Sequence, residues 1–333
     1  MRAIIRSVVS LVAAIAPGCL ATAAGHEELV SLTMVERVGL ERRGEWVTIG
    51  VPLPRGRVKS ADDLVLLQDG RPGEAEIIPV NRWWEDGTLR WVHLIFPAAC
   101  PAGGQAAVVL TRDDARPAPA SPLQVRENDE TIVVDTGPLI FTARRQGFNL
   151  IDTAAVAGES VIQGHRRGLG IRVAGREYLA CQDPDARATI EEKGPLHIVI
   201  RATGSFRDES GERQFDFDCR LYAYAGCPYV ETVVTLLNRQ GREADHIPLD
   251  GFFVELPTTI RRGTCTFGAE NAGVVQGNLT EKPEAYVFQS SSSEHTFGGA
   301  VEGHGGGKQT KPDTIGWAGL SDGTKGLAAG VKW

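Results

Sequence analysis

Apolar and polar side chains alternate along most of this chain, and that alternation restricts its possible folds more than any other feature. From Gln214 to Tyr224 the order is Gln-Phe-Asp-Phe-Asp-Cys-Arg-Leu-Tyr-Ala-Tyr. An extended backbone sends successive side chains to opposite faces. Phe215, Phe217, Cys219, Leu221 and Ala223 then share one face, and Asp216, Asp218, Arg220, Tyr222 and Tyr224 the other, which predicts a half-buried antiparallel strand. Ala225-Gly226-Cys227-Pro228 turns the chain into the β-branched run Tyr229–Leu237, so the two segments read as a long hairpin. Comparable stretches occur at Trp46–Val51, Leu64–Leu67, Leu89–Phe96, Ala106–Thr111, Thr131–Asp135, His197–Thr203 and Gly251–Leu256. Asp69-Gly70, Asp86-Gly87 and Asp322-Gly323 supply turns, and no segment carries a capped helical stripe. An all-β fold is predicted.

A proline-alanine strap at 113–122 has no face to bury and reads as a semi-extended linker. It separates a short, closely turned unit at 27–112, which suits a small β-barrel, from 123–333, whose longer strands suit a β-sandwich. Residues 290–313 are polar and Gly-rich and read as a loop. Gly326–Trp333 reads as a strand that stops on a large apolar residue, where termini usually fray into polar ones, so a continuation of the natural chain or a broken gene model is expected.

At the other end, Arg2 and Arg6 precede the apolar run Ile4–Ala16 and the small residues Ala21-Thr22-Ala23-Ala24. That order is a secretory signal over 1–24, too short in its apolar part for a membrane anchor, and a secreted, periplasmic or extracellular location follows. Cys19 offers a lipoprotein alternative, but Ala16-Pro17-Gly18-Cys19 is a poor lipobox. The five cysteines beyond the signal, Cys100, Cys181, Cys219, Cys227 and Cys265, are odd in number and irregular in spacing, which favours small buried core residues over a disulfide framework. The formal net charge is -7, from 42 acidic and 35 basic residues with no basic run, so nucleic acid is not an expected partner.

Two familiar signatures fail. Gly303–Gln309 lacks the first glycine and the Ser or Thr of a phosphate loop, with Glu302 and Gln309 in their places. No HExxH or GxSxG occurs, and His295 and His304 read as loop histidines. No cofactor is evident. Trp83-Trp84-Glu85-Asp86-Gly87-Thr88-Leu89-Arg90-Trp91 is richer, with three of the six tryptophans around one turn. An exposed indole stacks on the C–H face of a pyranose, so Trp83 and Trp84 are candidate carbohydrate contacts. The competing reading, which general burial favours, places Trp91 in the core and packs Trp84 across the hairpin. His165-Arg166-Arg167 is a compact cationic triplet that would neutralise a carboxylate; its plainer reading is a solvated loop.

Gly50-Val51-Pro52-Leu53-Pro54-Arg55-Gly56, then Leu64–Gly70 ending in Asp-Gly, then Trp84-Glu85-Asp86-Gly87-Thr88-Leu89-Arg90-Trp91-Val92 together resemble the opening domain of the exo-rhamnogalacturonan lyase (PcRGLX)/YetA-like family. Gly194–Gly204, the hairpin through Tyr224–Val230, and Gly316-Trp317 with Leu320–Ala328 are similar to the family's central sandwich. The resemblance implies a RIFT-type barrel at 27–112, a sandwich at 123–333 and, in family members, a C-terminal α/α toroid packed on the sandwich, which this chain lacks. It also implies β-elimination on rhamnogalacturonan or pectin-type uronate polysaccharide. In that reaction a base takes the proton beside the uronate carboxylate, cations neutralise the carboxylate and an acid assists the leaving group. Calcium is compatible with a uronate site but no ligand spacing calls for it. The matching motifs look architectural, so no catalytic residue is carried over, and the chain alone is expected to be inactive. The alternative is a non-catalytic glycan-binding or cell-surface protein on the same two domains.

Overall fold

The computed structural model describes residues 10–12, 27–113, 117–118, 120, 123–164, 166–239, 247–269, 273–291, 294–301 and 316–331. The signal sequence, apart from a strand at Ser10–Val12, lies outside them, as do His304, the failed phosphate loop and Trp333. Strands dominate. The helical turns among the described residues are two short 3-10 turns, Ala61–Asp63 and Ala180–Gln182, and no helix is long and apolar enough to cross a membrane. The protein is all-β.

Two compact units emerge, and they do not divide the chain at one point. The first holds residues up to Leu123 together with Glu191–Val199 and Tyr222–Gly226; the second holds Gln124–Ile190, Ile200–Leu221 and Cys227 onward.

In the first unit, Glu27–Val35, Gln105–Arg112, Leu64–Gln68 and the short Arg71–Pro72 lie side by side, and Arg42–Pro52, Leu89–Cys100 and Glu76–Arg82 form a second, three-stranded sheet. Asp69 and Gly70 both take positive φ, 48° and 78°, the conformation that matches a tight turn to the twist of the flanking strands. The inward face of each strand supplies one core, including Leu32, Met34, Val51, Leu64, Leu66, Leu94, Phe96, Val108 and Leu110. Each such side chain contributes about 1.5–3 kcal/mol on leaving water. Glu36 in the same unit is also buried. Its carboxylate accepts the N–H groups of Val38, Gly39, Leu40 and Gly103 and pairs with Arg42 at 3.0 Å. The Gly103 N–H, helped against burial by Arg42, Val38 and Gly39, holds its pKa down at about 2.

In the second unit, five sequential strands from Gln124–Glu127 to Glu159–Ile162 form an antiparallel meander. A larger sheet, most but not all of whose residues belong to this unit, runs in the order Val230–Leu237, Arg213–Tyr224, His197–Arg207, Arg176–Leu179, Leu169–Val173, Gly251–Val254, with Arg187–Lys193 also pairing with His197–Arg207. Phe206 and Phe148 pack on Phe217, with ring centres 5.2 and 6.0 Å away. The expected alternation of Gln214–Tyr224 holds from Phe217 to Ala223 and breaks before it. Phe215 sits at φ 44°, which shifts the phase so that Phe215 is half-exposed and Asp216 goes inside. Tyr224, expected outside, lies at the end of this strand and already in the first unit, where it is buried and stacks on Trp46 with ring centres 5.2 Å apart. Among the described residues Cys100, Cys219, Cys227 and Cys265 are buried, and burial pushes the Cys219 thiol up to about 12.

The loop expected at 290–313 begins later than the composition suggests. Ala285–Ser291 and Glu294–Gly299 pair as an antiparallel hairpin, because Phe297 has a buried place to go, 6.1 Å from the Phe267 ring. Thr264–Ala269, Gly273–Asn278, Trp317–Ser321 and Gly326–Gly330 make the four-stranded sheet beside this small core. The strand expected within Gly326–Trp333 is thus present over Gly326–Gly330.

Candidate functional site

The tryptophan turn belongs to the first unit. Strand Glu76–Arg82 ends, Trp83 N–H donates to the Thr88 carbonyl at 2.8 Å and Gly87 N–H to the Trp83 carbonyl at 2.9 Å, and Leu89–Cys100 begins. Asp86 is the keystone. Its Oδ1 accepts the Thr88 hydroxyl at 2.6 Å and the Thr88 N–H at 2.9 Å, and Arg55 reaches both Asp86 and Glu85. Those Thr88 hydrogen bonds, with Arg55 behind them, hold the Asp86 pKa below the usual carboxylate range. Gly56 N–H in turn donates to the Thr88 hydroxyl oxygen at 3.1 Å, and Leu53 N–H to the Arg90 carbonyl at 2.8 Å. The Pro-Leu-Pro-Arg-Gly turn and the Trp-x-Asp-Gly-Thr turn are therefore two halves of one clasp, which is the physical content of the motif.

Trp84 stands 89% exposed on this clasp, and Trp91 is 38% exposed. The packed reading of Trp84 and Trp91 is overturned: Val92, Leu94 and Phe96 take the inward positions, so Trp91 is sent to the outer face beside Gly50. Trp83 is half-buried with the Arg90 guanidinium 4.8 Å from its ring centre. The Trp83 Nε1 is buried and has no acceptor among the described residues.

The cationic triplet belongs to the second unit. His165 lies outside the described residues. Arg166 is exposed, and its carbonyl accepts the Cys181 thiol at 2.9 Å. Arg167 donates to Glu255 at 2.5 Å and Glu177 at 2.8 Å and lies 5.8 Å from the Phe253 ring centre. Its guanidinium already holds two carboxylates of this chain, the kind of group for which a substrate would otherwise use it. Trp83 and Trp84 thus sit in one unit, and Arg166 and Arg167 in the other.

Two buried polar networks carry no sequence signature. In the first unit, His197 lies between Glu76 on Nδ1 at 3.0 Å and Glu192 on Nε2 at 2.9 Å. Leu196 N–H also donates to Glu76, and Gly194 passes so close that a Cβ there would fall 1.7 Å from Glu76 Oε1. Ionised carboxylates only accept, so two of them hold both ring nitrogens as donors and favour the imidazolium. Burial alone pushes the imidazole pKa down; hydrogen bonds to Glu76 and Glu192, with their charges, outweigh it and leave the pKa raised. In the second unit, buried Asp183 accepts Ser205 N–H at 2.7 Å and Arg207 Nε at 2.8 Å, and Asp216 accepts the Ser205 hydroxyl and Arg213. Burial works against the Asp216 carboxylate, and Arg213, Ser205 and Arg239 outweigh it to lower its pKa. Only the structure could find these groups, since their partners are up to 121 residues apart in sequence. Each is spent on another group of the same chain, which is scaffold chemistry.

Among the described residues no group of three or more His, Cys, Asp or Glu side chains is arranged to hold a metal ion. Residues 123–262 match the family model described as the PcRGLX-like protein central beta sandwich domain. The chain is 28% identical over 207 residues to the uncharacterized protein YetA of Bacillus subtilis (strain 168), an alignment that covers 59% of this chain and 24% of YetA. The chain is thus all-β, carries a PcRGLX-like central β-sandwich domain at 123–262 and is similar to YetA.

Proposed function

We propose that this chain is the β-sheet portion of an exported polysaccharide lyase-related protein acting on rhamnogalacturonan or a pectin-type uronate polysaccharide by β-elimination. The match of residues 123–262 to the PcRGLX-like central sandwich carries this reading. In it, a C-terminal α/α toroid packs on the sandwich and supplies the groups that move protons, and the β-sheet units contribute glycan contacts. The buried acid-base groups of this portion support that division of labour, because His197 is held by Glu76 and Glu192, Asp183 by Arg207 and Ser205, and Asp216 by Ser205 and Arg213. No step is routed through calcium, for which the described residues present no ligand set.

β-Elimination leaves a double bond conjugated with the uronate carboxylate, so the product absorbs in the ultraviolet. A natural-length protein is expected to raise that absorbance on rhamnogalacturonan, and this chain alone is not. Absence of any rise on every uronate polymer tried would remove the lyase reading.

A second reading, non-catalytic glycan binding, is favoured by one observation, the 89% exposure of Trp84 on a turn pinned by Asp86, Thr88 and Arg55. A solvent-facing indole costs apolar exposure, and a pyranose C–H face would cover it. Loss of glycan retention in Trp84→Ala, with retention intact in Trp46→Phe, is the expected outcome.

A further inference from the structure

The two carboxylates that hold His197 differ in what each can do if the ring gives up a proton. Nδ1 lies 3.0 Å from Glu76 and Nε2 2.9 Å from Glu192, and all three residues belong to the first unit. The imidazole is 3% exposed and the Glu76 side chain 10%, whereas that of Glu192 is 45% exposed. Glu76 also accepts the Leu196 N–H at 3.2 Å and has Gly194 packed against it. Glu192 is next to last in strand Arg187–Lys193, where only its carboxylate reaches the ring. The surrounding elements bring other titratable groups. Ile95 stands opposite Glu76 on the neighbouring strand, and exposed His93 stands opposite Ile78 two positions along. Tyr224 turns its ring onto Trp46, and exposed Glu191 and Lys193 flank Glu192 in sequence. Of these, Glu76 and Glu192 are the charges that act on the imidazole.

An ionised carboxylate only accepts, so the two bridges need two ring protons, and a neutral imidazole carries one. Deprotonation therefore turns one nitrogen lone pair onto a carboxylate. At Nδ1 this would set two acceptors against each other in a closed site, where Glu76 has little access to water to replace the lost donor. At Nε2 the half-exposed Glu192 can swing into solvent and be hydrated there. We infer that His197 is a one-sided pH latch: on losing a proton the ring keeps its Nδ1–H on Glu76 and releases Glu192, so the end of strand Arg187–Lys193 comes loose while the turn at Gly194–Leu196 stays seated. The latch is independent of the glycan reading.

The test is a pH titration of the full 333-residue chain with nitrogen-15-labelled histidine, in which His197→Gln assigns the relevant ring among the seven. A free neutral histidine prefers its proton on Nε2; His197 is expected to do the reverse, with Nε2 moving to the resonance position of a bare ring nitrogen and Nδ1 remaining protonated. Glu192→Gln should lower the His197 midpoint by about one pH unit. It should melt below the wild type at pH 6 and together with it above the midpoint, where the contact is already open. Glu76→Gln should melt below the wild type on both sides. A neutral ring protonated at Nε2, or a Glu192→Gln variant destabilised equally on both sides of the midpoint, would overturn the latch. So would a ring that keeps both protons up to the pH at which the chain unfolds.

Discussion

At the residue scale, single charged groups set how this protein responds to pH. His197 has its folded pKa raised by Glu76 and Glu192 against burial, so its stabilising contribution is complete below the unfolded value of about 6.5 and disappears as pH rises through the folded value. Thermal melts should fall between neutral and alkaline pH in the wild type, and His197→Gln should be less stable at pH 6 while losing that alkaline slope. Glu36 behaves in the opposite sense. Its folded pKa of about 2 lies below the unfolded carboxyl, so its contribution is present above about pH 4.3 and is lost as pH falls towards 2. Carbon-detected titration of its carboxyl should show a midpoint far below an ordinary glutamate, and Glu36→Gln should flatten the acid limb of the stability curve. Neither group was legible in the sequence, because a lone His or Glu gains its meaning from partners that only folding supplies. The Trp83–Trp91 cluster was legible as chemistry, but whether Trp91 is packed or exposed turned on Val92, Leu94 and Phe96 claiming the other parity of the strand for the core.

At the element scale, alternation revealed the strands, and local backbone conformation decided where alternation fails. Phe215 at φ 44° moves Asp216 from the outer face to the inside, where Ser205 and Arg213 meet it; identical letters with an ordinary φ would have kept the expected phase. The hairpin Ala285–Ser291 with Glu294–Gly299 hid behind serines and glycines because one buried Phe297 carries much of its anchoring. Glycines matter where the backbone needs positive φ, and Gly87 at φ 70° is such a position inside the tryptophan turn. Gly87→Ala should cost about 1–2 kcal/mol in chemical denaturation. If the turn presents Trp84 to a sugar, the same substitution should weaken glycan binding without abolishing it. Gly194→Ala acts differently: its Cβ would meet the Glu76 carboxylate, so a loss of about 1–3 kcal/mol is expected from crowding.

At the scale of the whole molecule, the chain consists of two β-built units, with the family model matching 123–262 and the tryptophan turn upstream of that segment. The all-β class followed from alternation alone. The composition of the units did not, since Glu191–Val199 and Tyr222–Gly226 join the first unit through contacts such as Glu76 with His197 and Trp46 with Tyr224. Function at this scale depends on whether the first unit touches glycan. Nitrogen-15 spectra resolve indole N–H groups individually, and Trp84→Phe assigns the relevant one among the six tryptophans. On titration with a rhamnogalacturonan oligosaccharide, the Trp84 indole resonance should shift progressively to saturation while that of Trp46, stacked on Tyr224, stays in place. A Trp84 resonance that does not move at saturating oligosaccharide would contradict the account.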